Sequence, residues 1–328
     1  MDLRTRLFDT LITSVVDYGV IAWVSSDLLD PAKAHSNQVE EVQQGFIRYL
    51  LKLPKSAPLM CAYMECGSWP WQSRWIGEFV KWWRHCMTER SLGPKLSLTH
   101  LVMRHNVQLF VNNQVANWAA SFFHVQSAIF PDRTHGLKTQ MTKGHGFCPF
   151  EAQQAVQKQY QTAAGFNTEH DPRTPDVQHR VACTYSKWFM IKDRSFKDSF
   201  MCAPDLSYHE VVELSRFRLG CHPVVPVTSG RRAKVPYTQR LCSLCPDAHV
   251  GQVGHEQHIL LECGALHSVR QRHRDFLSSL PDGLSMNSLS NAEDQTAMAR
   301  FCLDCIHAYE SLTQPGRVPP AQTEHIDQ

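Results

Sequence analysis

Apolar residues along positions 1 to about 90 recur at the three- and four-residue spacing of amphipathic helices. A first stripe consists of Leu3, Leu7, Leu11 and Val15. A second stripe consists of Val39, Val42, Phe46, Leu50 and Leu53. Pro54 has no amide hydrogen to donate, so the second helix is expected to end just after Leu53.

A third helix is predicted to begin near Gln72 and to carry aromatic side chains along one face. This stripe consists of Trp75, Phe79, Trp82 and Cys86. Five of the eight tryptophans lie between Trp69 and Trp83. Because rings of this size dominate the energetics of cores, a buried core is favoured over a platform that stacks bases.

The rest of the chain is less regular. Residues 91–210 carry helical runs but no repeat or chemical motif, and glycine and proline predict loops at 136–149 and 167–175. A C-terminal helix is predicted over 276–312. The proline-containing tail at 313–328 is expected to be disordered.

Four side chains near the C-terminus have the spacing of a metal site. Cys242, Cys245, His258 and Cys263 form the pattern C-x2-C-x12-H-x4-C. Two residues between cysteines allow a tight turn to direct both thiolates at one ion, with the turn amides pointing at the sulfurs. Three cysteines and a histidine are a usual closed, tetrahedral set for structural zinc. We therefore predict one structural Zn²⁺, which also explains how so small and polar a region holds together.

Other histidines and cysteines offer alternatives. His249, His255 and His267 are alternative fourth ligands. A zinc peptidase is excluded, because its motif places two histidines at i and i+4 and leaves one coordination position open, whereas His255 and His258 are at i and i+3. Cys302 and Cys305 are also two residues apart, but they lie in an apolar helical run and are predicted to be buried.

The composition bears on the compartment. The chain has 328 residues, twelve cysteines and a formal net charge of +2. It begins without the pattern of a signal peptide, and its most apolar stretch, residues 11–29, contains Asp17 and Asp27. We expect a nuclear or cytoplasmic protein that is not secreted, has no membrane span and keeps its thiols reduced or metal-bound.

Three stretches in a fixed order resemble a known family. Residues 18–23 read YGVIAW, and residues 42–70 contain VQQGFIR, LKLPKSAP and ECGSWP. Residues 217–223 read FRLGCHP and are followed by Arg231, Arg240 and the cysteine cluster, which ends in HILLEC. This order resembles the C-terminal part of LINE-type (non-LTR) retrotransposon reverse transcriptases, from the thumb to the terminal zinc knuckle.

The resemblance implies a mostly α protein with a thumb-like helical domain at 1–90, a helical connector with loops at 91–210 and a CCHC zinc-knuckle region, with irregular or short β structure, at 211–275. A reverse transcriptase holds two Mg²⁺ ions with palm carboxylates that usually include two adjacent aspartates. No two aspartates are adjacent in this chain. We expect a fragment or descendant that is not catalytic alone, and a palm supplied in trans stays open.

Basic residues are concentrated around the predicted zinc site. Residues 216–275 contain nine basic and four acidic side chains, so nine minus four gives +5 there and −3 elsewhere. This excess favours binding of RNA or single-stranded DNA. The predicted contact residues in this region are Arg218, Arg231, Arg232, Lys234, Arg240, Arg270, Arg272 and Arg274.

A second basic stripe lies at i, i+4 and i+7 on the second predicted helix and consists of Arg48, Lys52 and Lys55. The resemblance suggests that these residues contact phosphates, as a thumb helix does along the primer–template backbone. A solvated helix face is the alternative for both basic sets. For the whole chain, the alternatives to nucleic-acid binding are a zinc-stabilised helical module that contacts proteins and a functionless retroelement relic.

Overall fold

The computed structural model is mostly helical, as the sequence predicts, and contains no β-sheet among the residues it describes. These are residues 2–18, 20, 38–55, 57, 59–87, 98–112, 117–143, 148–163, 206–245 and 252–314. Most of the YGVIAW motif, the predicted loop at 167–175 and the tail from 315 onwards lie outside them. The chain divides into two compact units, which are Met1–Ile47 with Ser68–Glu169 (unit 1) and Arg48–Gly67 with His170–Gln328 (unit 2).

Unit 1 is a helical assembly around an aromatic core. Its helices are α1 (Asp2–Phe8), α2 (Ser14–Asp17), most of α3 (Gln38–Leu50), α5 (Trp71–Met87), α6 (Leu98–Val111), α7 (Trp118–Ile129), α8 (Leu137–Thr142) and α9 (Pro149–Ala163). Helix α5 packs against α6, α7 and α9. Helix α8 occupies part of the loop predicted at 136–149.

The core of unit 1 confirms the prediction for three of the four members of the aromatic stripe. Trp75, Phe79 and Cys86 are buried, whereas Trp82 is half-buried. Its neighbour Trp83 is fully buried instead, and the ring of Trp83 stacks on Phe122 with centroids 4.1 Å apart. Helices from the region predicted as a connector supply the opposite face of this core, including Phe122. The tryptophans of α5 are therefore packing residues and not a platform for bases.

The first helical stripe is formed, but it does not face the core. Between α1 and α2 the chain makes a π-helical turn, Asp9–Thr13, which shifts the side chains that follow relative to a continuous α-helix. Leu7, which lies before this turn, is already 49% exposed, and Leu11 and Val15 are 60% and 71% exposed. Val16 and Val20 take the inward positions instead.

Unit 2 contains the predicted metal ligands. Its helices are the end of α3, α4 (Leu59–Glu65), α10 (Tyr208–Arg218), α11 (Pro226–Arg232), α12 (His267–Arg272), α13 (Arg274–Ser278), α14 (Met286–Ser290) and α15 (Gln295–Thr313). Helix α10 begins with a capping box formed by Ser207 and Glu210. The C-terminal helix begins at Gln295 instead of 276, because Asp294 caps it and Gly283 turns the chain with a positive φ of 71°.

Helix α3 ends at Leu50, three residues earlier than the position of Pro54 predicts. Lys52 adopts the left-handed conformation with φ of 48°, and the amide of Leu53 donates to the Arg48 carbonyl at 2.9 Å. This is the hydrogen bond of a Schellman cap, which closes the helix before the proline is reached. Lys52 and Lys55 therefore lie beyond the helix, so they do not continue a helical stripe with Arg48.

Candidate metal centre

The first two cysteines lie on a tight turn that follows an isolated antiparallel bridge between Leu241 and Val253. The amide of Cys242 donates to the Gln252 carbonyl at 3.1 Å, and the amide of Cys245 donates to the Cys242 carbonyl at 3.4 Å. The bridge fixes where the turn begins. The turn then presents both thiols to one point, as the two-residue spacing requires.

His258 and Cys263 are brought together by a π-helical turn, His258–Glu262. The amide of Cys263 donates to the His258 carbonyl at 2.7 Å, which is the i to i+5 hydrogen bond of a π-helix. In an ideal α-helix two positions five residues apart diverge by about 140°. The π-turn removes this mismatch and places both side chains on the same side.

The four ligand atoms lie within 4.8 Å of one another. The Cys263 Sγ lies 3.9 Å from the Cys242 Sγ and 3.7 Å from the Cys245 Sγ, and the Cys245 Sγ lies 3.5 Å from the His258 Nε2. A tetrahedral site with Zn–S of about 2.3 Å and Zn–N of about 2.0 Å has S···S edges of about 3.8 Å and S···N edges of about 3.5 Å. The four residues therefore fit one tetrahedral metal ion with the dimensions of zinc.

The cluster is closed. His258 and Cys263 are completely buried and Cys242 is nearly so, while Cys245 is half-buried. Four protein ligands complete a tetrahedron and leave no position for water or substrate, which is the arrangement of a structural site and not of a catalytic one.

Side chains around the cluster hold the ligands in place. The Tyr309 hydroxyl, on α15, lies 3.7 Å from the Cys242 Sγ and 3.3 Å from the Ser243 Oγ. On the opposite ligand, the His258 Nδ1 lies 3.5 Å from a carboxylate oxygen of Glu262. A carboxylate behind a ligating histidine favours the tautomer that presents Nε2 to the metal.

The thiol groups of Cys242 and Cys263 form a hydrogen bond that shifts their pKa values in opposite directions. Hydrogen bonding with Cys263 is the main cause that holds the pKa of Cys242 far below the usual range of a thiol, and the amide of Leu244 adds to it. The same contact raises the pKa of Cys263, because the proton is kept on that sulfur. Metal binding replaces this shared proton, since a metal takes the thiolate form of each cysteine.

The structure also places two of the alternative ligands. The Nδ1 of His255 accepts a hydrogen bond from the His258 amide at 3.0 Å, and the Nε2 of His267 lies 3.2 Å from the Gln271 amide nitrogen. Neither ring belongs to the cluster, and His249 lies outside the described residues. Cys302 and Cys305 are buried in α15, as predicted, and burial raises the pKa of Cys302 to about 12.

Three of the predicted nucleic-acid contacts are occupied within the protein. Arg218 is buried and its Nε lies 3.0 Å from the carboxylate of Glu65, which is also buried. Arg240 donates to the carbonyls of Val235 and Val227, and its aliphatic part lies over Gly230. Both guanidinium groups therefore stabilise the fold, Arg218 from a buried position and Arg240 from a half-buried one, and their contact with nucleic acid stays a prediction.

Arg270 is the third predicted nucleic-acid contact that has partners within the protein. It donates to the carbonyls of Cys263 and Leu260 at 2.6 and 3.3 Å. These carbonyls belong to the π-turn and the residue after it, so Arg270 supports the cluster from α12. Its guanidinium stabilises the turn that presents two of the ligands.

The other predicted contact residues are more accessible. The exposed ones are Lys52, Lys55, Arg232, Lys234, Arg272 and Arg274, and the half-buried ones are Arg48 and Arg231. Arg272 lies 4.0 Å from a carboxylate oxygen of Asp304 at the surface. As contacts to nucleic acid, all of these stay predictions.

Two features of the site were not anticipated from the sequence. Tyr309 lies far from the ligands along the chain, and no spacing rule connects it to them. Glu256 is fully buried, neither of its carboxylate oxygens accepts a hydrogen bond from a described residue, and burial raises its pKa to about 7. A glutamate two residues before a ligand gives no sequence signal of such burial.

Comparisons with known proteins add no assignment. No protein-family model matches the chain, and searches of curated protein sequences and of solved structures find no similar protein. Among the helices of the described residues, none combines the length and the apolar character needed to cross a membrane.

Proposed function

We propose that this chain is a nucleic-acid-binding protein derived from the C-terminal part of a LINE-type reverse transcriptase, with a zinc knuckle that stabilises unit 2. The observation that carries the proposal is the Cys3His cluster of Cys242, Cys245, His258 and Cys263 with tetrahedral edge lengths. Exposed cations precede and follow it along the chain: Arg232 at the end of α11, Lys234 two residues later, and Arg272 and Arg274 in α12 and α13.

The chemistry of this proposal is binding and not catalysis. The zinc is held by four protein groups and organises the loop, while the exposed cations contact phosphates of RNA or single-stranded DNA without reading bases. Because the chain has no adjacent aspartates, any polymerisation needs a palm supplied in trans. A nuclear or cytoplasmic location belongs to the same proposal.

The test is fluorescence anisotropy of labelled single-stranded RNA and DNA with zinc-loaded protein at about 50 and 200 mM salt. Phosphate contacts release counterions, so we expect affinity to fall steeply with salt, with each lost contact reducing the log–log slope by about 0.7. R272E/R274E should weaken binding. R84E/K143E, at exposed side chains of unit 1, is the matched control with the same charge change.

Absence of salt-sensitive binding by the zinc-loaded protein would contradict the proposal. It would leave the alternative, a zinc-stabilised module that contacts proteins. This alternative has the same metal site. It predicts that the R272E/R274E variant folds normally and still binds its protein partner.

A further inference from the structure

Six arginines of unit 2 fall into two groups. Arg218, Arg240 and Arg270 have partners within the fold, as described above. Arg216, Arg231 and Arg232 form no ion pair with a carboxylate and donate no hydrogen bond within the part of the chain that the structure describes. The guanidinium N–H groups of the second group are therefore available to bind a ligand.

These three side chains come from two neighbouring helix ends. Arg216 lies in the last turn of α10, and Arg231 and Arg232 form the last turn of α11. Gly220 follows α10 in the left-handed conformation, and its carbonyl accepts a hydrogen bond from the Thr228 hydroxyl of α11 at 2.9 Å. This bond ties α11 to the end of α10, so the two C-terminal turns are held as one structure.

The side chains are also close enough to act on one another. Burial lowers the pKa of Arg216, and the like charge of Arg232 lowers it further. Burial raises the pKa of the Cys221 thiol to about 11, and Arg231, Arg216 and Arg232 oppose that rise. The charges of all three guanidinium groups therefore act on Cys221, the residue that follows Gly220.

The acidic groups of this region do not pair with them. The two carboxylate oxygens of Glu256 accept no hydrogen bond from a described residue, although burial lowers the pKa of Arg231 and the negative charge of Glu256 acts to raise it. Glu213 is occupied by His307, whose Nε2 lies 2.8 Å from its carboxylate. A helix dipole favours a cation at each C-terminus, but it does not offset the repulsion among three neighbouring cations, of which Arg216 and Arg231 are half-buried.

We propose that Arg216, Arg231 and Arg232 form one binding site for a phosphate group, with Arg216 Nε as a buried donor at its base. Guanidinium groups are suited to this ligand, because their planar donors bind phosphate oxygens in pairs. The site rests on the proposed function only for the source of the phosphate, which there is a phosphodiester of single-stranded nucleic acid.

The experiment compares inorganic phosphate with a 5′-hydroxyl single-stranded RNA on zinc-loaded full-length protein. The variants are R231Q/R232Q and R216K, and R84Q/K143Q, at exposed side chains of unit 1, is the control with the same charge change as the double variant. Zinc content and circular dichroism confirm that each variant is folded. Binding is followed by the shift in melting temperature with phosphate and by anisotropy with RNA.

We expect phosphate to stabilise the wild type and the control, and R231Q/R232Q to lose this shift and at least about tenfold in RNA affinity, which corresponds to about 1.4 kcal/mol. R216K keeps the charge but not the planar guanidinium group. It should therefore lose part of the phosphate-induced shift in melting temperature and part of the RNA affinity. Without phosphate, R231Q/R232Q should melt no lower than the wild type, because crowding is relieved.

The phosphate and RNA measurements together distinguish failure of the phosphate site from failure of the proposed function. RNA binding that is unchanged in R231Q/R232Q overturns the phosphate site and leaves the proposed function standing. A phosphate shift that depends on Arg231 and Arg232, with no RNA binding, supports the site with free phosphate as its ligand and contradicts the proposed function. No response to either ligand overturns both.

Discussion

At the scale of single residues, the structure divides the arginines by what their guanidinium groups contact. Arg218 is the clearest structural case, because it and Glu65 form an ion pair in which both side chains are almost fully buried. From the sequence it is indistinguishable from its exposed neighbours, since Glu65 lies far away along the chain. Charge counting finds the region but not the role of each residue.

Arg218→Met should destabilise unit 2 by about 3–5 kcal/mol, because it removes the guanidinium that balances the charge of the buried Glu65 carboxylate. Urea unfolding followed by circular dichroism measures the loss. The double variant R218M/E65L should recover most of it, since an apolar pair replaces a buried charge pair. A loss below about 1 kcal/mol in the single variant would contradict the buried pair.

Tyr309 is not a metal ligand, but we expect it to affect the zinc affinity of the site. Its hydroxyl lies 3.7 Å from the Cys242 Sγ, so Tyr309→Phe should weaken zinc affinity by about tenfold. Competition with a chromophoric chelator measures this change. Tyr49→Phe, at a side chain that is 71% exposed, is the matched control and should leave the affinity unaltered.

At the scale of elements, α15 is anchored to α10 by charged pairs at the surface. Arg300 pairs with Glu210, and the His307 Nε2 lies 2.8 Å from Glu213. Hydrogen bonding to Glu213 raises the pKa of His307, and, although burial opposes it, the same contact lowers the pKa of Glu213. Both side chains are therefore charged at pH values between the pKa of Glu213 and the pKa of His307.

This pair predicts a pH dependence of stability. The contribution of His307 is fully present below its unfolded pKa of about 6.5 and is lost as pH rises through its higher folded value. That of Glu213 is lost only as pH falls through its lowered value. His307→Gln should thus cost most near pH 5.5 and little at pH 8.5.

The cost of His307→Gln should stay below about 1 kcal/mol, because the side chain is half exposed and solvent screens it. Urea midpoints between about pH 5.5 and 8.5 give the profile. His267→Gln, at a ring that contacts the Gln271 amide, should show no such slope. A cost that grows with pH would contradict the pair.

The sequence predicts elements well where one helical period governs them. The start of α5, its buried aromatic stripe and the burial of Cys302 and Cys305 follow from spacing alone. It fails for the first apolar stripe, whose members Leu7, Leu11 and Val15 are exposed. The two π-turns were not predicted, since local hydrogen bonding there changes the helical period, but the pairing of His258 and Cys263 that the second turn produces was predicted.

At the scale of the whole molecule, the metal site should matter for one unit only. The ligands and Tyr309 belong to unit 2, and α15 packs on the π-turn His258–Glu262. Unit 1 has an aromatic core of its own and none of the four ligands. The spacing of the ligands predicted the cluster, whereas its dependence on α15 needed the folded chain.

Zinc removal by a chelator, or Cys242→Ser, should therefore unfold unit 2 and spare unit 1, since metal-binding free energy is folding free energy for such a site. Amide hydrogen exchange should lose protection across 206–245 and 252–314 and keep it in α5, α7 and α9. Cys148→Ser, at an exposed thiol of unit 1, is the control. Equal loss in both units would contradict two separate cores.

The central claim is that the Cys3His cluster holds one zinc ion, and elemental analysis of the purified protein tests it most directly. We expect about one zinc per chain in the wild type and in Cys148→Ser, and loss of zinc in Cys263→Ser. A wild-type protein that folds without zinc or another tetrahedral metal would contradict the claim.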